Sequence, residues 1–94
     1  MAVGRAARRA ARAPAVERVM GPAQVDVALD LLELTELAWH DCYGELTPSD
    51  QVVDDMLVCS RGELAGLVRA ARLGTTDWRD LRMEADAIRA EAAG

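Results

Sequence analysis

The chain has no phenylalanine and no lysine, and it has one tyrosine, two tryptophans, one histidine and two cysteines. Each shortage excludes something. Strands favour aromatic and β-branched residues, so an aromatic-poor, alanine-rich chain argues against a β-sheet domain. Cys42, Cys59 and His40 are too few for a zinc site, which takes about four ligands. The cysteines show no CxxC spacing, and two of them make no disulfide scaffold. No apolar stretch reaches the ~18 residues of a membrane-spanning helix. There is no Gly-rich phosphate loop and no nucleophile motif.

Alanine, leucine and arginine are the commonest residues, glutamate adds to them, and all four are good helix formers. All eleven basic residues are arginine. With abundant alanine and glycine, that usage points to a bacterium with a GC-rich genome before it points to phosphate recognition. A chain of 94 residues makes one domain at most.

Charge divides the chain in two. Residues 1–22 carry five arginines and one acid, a balance of +4, whereas residues 23–94 carry six arginines and fifteen acids, a balance of −9. Arg5, Arg8, Arg9 and Arg12 fall at i, i+3, i+4 and i+7, so a helix puts them on one face. The other face is alanine, which buries little, and an isolated helix of this length is marginal in water. Pro14 and Gly21-Pro22 punctuate the segment. Residues 1–22 are therefore expected to form a flexible basic lead whose four clustered arginines are candidate anion contacts. Arg8-Arg9 is a twin arginine, but Glu17 and Arg18 interrupt the stretch that an export signal would need. The expected location is the cytoplasm. The composition of residues 1–19 also suits an upstream extension ahead of a start at Met20.

Residues 23–94 read as a small all-α, four-helix domain, one long helix followed by three short ones. The first helix is expected from Ala23 to Tyr43. At about 100° per residue, Val27, Ala28, Leu31, Leu34, Ala38 and Cys42 share its apolar face, flanked by Leu32 and Trp39. Asp26, Asp30, Glu33, Glu36, His40 and Asp41 take the polar side. Leu29 and Leu37 fall among them and suggest a second contact. Thr47 is the expected N-cap of the second helix, with Pro48 at its first position and Asp50 behind. Val52, Val53, Met56 and Cys59 form its buried stripe. Ser60 and Glu63 have capping-box spacing at the head of the third helix, whose apolar face is Leu64, Leu67, Val68 and Ala71 and which Leu73-Gly74 should end. The fourth helix starts near Thr75 or Thr76. Its seam is Trp78, Leu81, Ala85, Ile88 and Ala92, with Arg82 and Asp86 spaced to pair.

Few constellations carry chemistry. Glu33, Glu36, His40 and Asp41 cluster on one helix, but a solvated acidic face with a Glu36–His40 pair is the plainer reading. Cys42 is two residues from His40, so the two point apart on a helix, and both cysteines are expected in the core. A helix-turn-helix comparison rests on Arg61, Arg69 and Arg72 alone, in an acidic domain. The expected function is a non-enzymatic helical interaction module, a small regulator, adaptor or accessory subunit without cofactor or metal. It would pack with itself as a homodimer or with another protein through Leu29, Leu37, Trp39 and Trp78. The alternative is an antitoxin-like, nucleic-acid-associated regulator whose arginine lead touches phosphate.

Overall fold

A computed structural model describes residues 4–94. It contains α1 (Arg5–Met20), a single 3₁₀ turn (Pro22–Gln24), α2 (Val25–Tyr43), α3 (Asp50–Ser60), α4 (Leu64–Thr76) and α5 (Trp78–Ala93). The all-α expectation holds, with five helices in place of four. The added helix is α1, which occupies most of the segment expected to be a flexible lead. Its face is anchored at one end by Val16 and Met20, both buried at i, i+4 spacing. The helix continues through Pro14, which lacks the amide proton for one backbone bond. Packing on α2 offsets that loss.

α3 lies at the centre, against α4 and α5 and touching α1, while α2 packs on both α4 and α1. Leu32, Met56, Leu57, Leu67 and Leu81 fill the core. The turn between α3 and α4 is made by Arg61 and Gly62, at φ 52° and 77°. Gly66 sits where α4 crosses the end of α3, and a β-carbon there would run into the Ser60 carbonyl.

Three caps differ from expectation. Ser49, not Thr47, caps α3: its hydroxyl accepts the Val52 N–H at 3.2 Å. Pro48 therefore precedes the cap and is itself buried. Ser60 is the last residue of α3 rather than the cap of α4, donating to the Leu57 carbonyl at 2.6 Å. α4 runs past Gly74 to Thr76, and Asp77 caps α5 by accepting the Arg79 N–H at 3.0 Å.

The two tryptophans part company. Trp39 is 3% exposed, donates its indole N–H to Glu45 at 3.0 Å and meets the Tyr43 ring at 4.4 Å. Tyr43 donates to the Gly74 carbonyl at 2.7 Å and accepts the Trp78 amide at 3.2 Å, tying α2 to the junction of α4 and α5. Trp78 is 39% exposed, with the Arg82 guanidinium 5.8 Å from its ring centroid. Trp39→Ala should thus cost about 3–5 kcal/mol, as buried aromatic truncations do. Trp78→Ala should cost about 1 kcal/mol, for a part-buried ring and a surface cation–π contact. Urea melts of the two variants check the order.

Candidate functional site

Two buried carboxylates organise the charge. Glu36, on α2, is buried and bonded by Arg8, with Arg12 at 3.7 Å. Arg12 also donates to the Thr47 hydroxyl at 3.0 Å and the Pro48 carbonyl at 3.1 Å, so α1 holds the loop before α3 as well. Burial opposes ionisation of Glu36, but bonds from Thr47 and Arg8 and the nearby charge of Arg12 outweigh it and hold its pKa below the ordinary value. Arg9 meets Asp30 at 2.8 Å and Glu33 at 3.4 Å. The second carboxylate is Asp55 on α3, fully buried and gripped from α5 by Arg82 and by Arg89 at 2.8 Å. Arg89 also reaches Asp54 and Asp86. The hydrogen bond with Asp55 leads those that raise its pKa.

These contacts revise several expected sites. Of the four candidate anion contacts, Arg8, Arg9 and Arg12 bind the chain's own acids, and Arg5 is exposed. The arginine face of α1 is the face that packs. The supposedly solvated acids of α2 are partly the surface it packs on. Arg82 pairs with Asp55 rather than Asp86. Arg61 pairs with Glu91 and Arg69 with Glu84, which removes two of the three arginines behind the helix-turn-helix comparison. Among the described residues no group of three or more His, Cys, Asp and Glu side chains is placed to hold a metal, and no helix is long and apolar enough to cross a membrane.

A groove of about 710 Å³ runs between α1, the loop before α3, and α3. Ala11, Ala15, Val53 and Leu57 give it an apolar lining. Its cations, Arg8 and Arg12, are the ones bonded to Glu36 and Thr47. Glu45, Ser49, Asp50 and Asp54 line it as well.

The cysteines are separated. Cys59 is buried, and burial first, then the neighbouring Glu84, pushes its thiol up to about 12. Cys42 is exposed, not in the core. Thiolate is the reactive form, so a disulfide reagent should titrate one thiol in the native protein and two after denaturation. Two fast native thiols would contradict this placement.

The most informative surface is the outer face of α2. The core takes Ala28, Leu29, Leu32, Thr35, Glu36 and Trp39. That arc is turned by about one residue, some 100°, from the apolar arc legible in the sequence. Leu29 and Trp39 are therefore core residues and offer no surface to a partner. Most of the expected core face lies outside instead: Val27, Leu34, Ala38 and Cys42 are exposed and Leu31 is half-buried, with Leu34 63% exposed. Beyond this stripe on the α1 side come Asp30, Asp41 and the exposed Leu37. α4, which packs on α2, exposes Val68 and Arg72. Sequence reasoning found the residues of this stripe and assigned them to the wrong side.

No family model matches the chain, and neither does a curated protein or a solved structure.

Proposed function

We propose that the protein is a non-enzymatic helical interaction module, a small bacterial regulator, adaptor or accessory subunit that acts in the cytoplasm by helix packing. One observation carries the reading. A regular apolar period, Val27, Leu31, Leu34, Ala38 and Cys42, lies along the outside of α2. A regular stripe of this kind on a helix marks a packing surface, and large apolar side chains gathered on a small domain mark an interaction site. Leu37, exposed on the same helix, lies beside the stripe and widens it. The nucleic-acid alternative has lost its main support, because three of its four arginines already hold α1 against α2 and the loop.

The test is a capture experiment from the source cell with two baits, the full chain and its Leu34→Arg variant. Leu34 is exposed, so the variant should keep the circular dichroism of the parent. A protein partner, copies of the chain included, should be retained by the parent and lost by the variant. Equal retention by both baits would remove α2 from the proposal.

A further inference from the structure

We infer that the first half of α1, residues 5–13, is a hinged cover on the groove beside α3, held shut by charge and opening as one unit about Pro14. The two halves of α1 are anchored differently. Beyond Pro14, Val16 and Met20 are buried in the core. Ahead of it every apolar side chain is an alanine: Ala6, Ala7, Ala10 and Ala11 are exposed, and only Ala13 packs against the core. A methyl group buries too little surface to hold a helix in place. The hold on this half is polar instead. Arg8 and Arg12 share Glu36, and Arg9 meets Asp30 and Glu33. Arg12 adds its bonds to the Thr47 hydroxyl and the Pro48 carbonyl.

Pro14 stands at the boundary between the two kinds of anchor. It has no amide proton, so the backbone bond to Ala10 is missing, and its ring crowds that carbonyl. Sharp bends in helices occur at such residues. A segment with few buried apolar contacts also opens at lower free energy than the core around it. Opening here has a definite consequence. Arg8, Ala11 and Arg12 form part of the groove's lining, together with Val53 and Leu57 of α3. Val53 and Leu57 are only 4% and 2% exposed. Swinging residues 5–13 outward removes that wall and uncovers the apolar floor, while Val16 and Met20 keep α1 attached. The open form thus presents an apolar surface that the closed form hides.

Hydrogen exchange on the full chain tests the unit. The amides of residues 10–13 should share one opening constant, larger than that of residues 18–20. A constant that changes residue by residue, with no step at Pro14, would mean ordinary end fraying and would overturn the cover. Glu36→Gln should raise the shared constant about tenfold or more, as loss of hydrogen bonds to a charged group does. Pro14→Ala, at an exposed position, restores the missing amide and should lower it about tenfold or more. A shared constant that neither variant moves would overturn both the charge hold and the hinge. The uncovering of the floor is read by thiol labelling. In a Cys42→Ser, Val53→Cys chain, a disulfide reagent should reach the thiol at position 53 faster than Cys59, which is buried and reports global unfolding. Added Glu36→Gln should speed that labelling and added Pro14→Ala should slow it. Labelling at position 53 no faster than at Cys59, with or without Pro14→Ala, would overturn the groove floor as the surface that is covered.

Discussion

A chain beginning at Met20 should melt ~15–30 °C below the full chain, a drop that corresponds to roughly 4 kcal/mol in a domain of this size. The estimate has two sources. Val16 leaves the core, and burying such a side chain contributes about 1.5–3 kcal/mol. Leu29, buried on the side of α2 that faces α1, becomes exposed and adds a similar amount. The clamp on Glu36 is lost as well. A small domain has only about 5–15 kcal/mol in total, so the shortened chain should be close to unfolded at ambient temperature. An unchanged melting temperature would mean that α1 adheres without stabilising. Acid should act on the same contact. Glu36 titrates below its ordinary value when folded, so its contribution is complete above the unfolded value of about 4.3. It is lost as pH falls through the lower, folded value.

Asp55→Ala should cost about 3 kcal/mol, near the low end for breaking a buried ion pair. Asp55 is fully buried, but the side chains of Arg82 and Arg89 keep 28% and 33% of their exposure and can turn toward water. That relief keeps the cost from the upper end. Asp54→Ala, at the exposed end of the same cluster, should have little effect, since surface pairs contribute at most about 1 kcal/mol. Urea melts of the two variants should differ clearly in midpoint. Equal, small losses would mean that Asp55 does not join α3 to α5.

Much of the helical layout was legible in the sequence, because helix signals are local. Gly44 ends α2, and the buried stripe Val52, Val53, Met56 and Cys59 lies on α3 as its spacing implies. α5 follows a polar cap and buries Leu81 and Ala85. Cap positions slipped where several capping residues stand together, as Thr47 and Ser49 do. α1 was not legible because only Val16 and Met20 are apolar anchors, and the rest of its hold is ionic. Hydrophobic periodicity assigns charges to solvent, so it sent both the arginines of α1 and Glu36 outward. The phase of α2 failed for the same reason. With Glu36 counted as exposed, the remaining apolar residues define an arc that the fold leaves free. The candidate surface was thus visible as a pattern, while its exposure required the position of α1.

The most direct test of this account is native-state hydrogen exchange on the full chain. Each amide should be compared with the free energy of global unfolding from a urea melt. The backbone N–H groups of Val16 through Met20 should be protected to nearly the same free energy as those of Met56 and Leu57 in α3, because a helix packed into the core opens with it. Free exchange from Arg8 through Met20, with α3 still protected, would show α1 to be detached and would contradict the five-helix fold on which the exposed face of α2 depends.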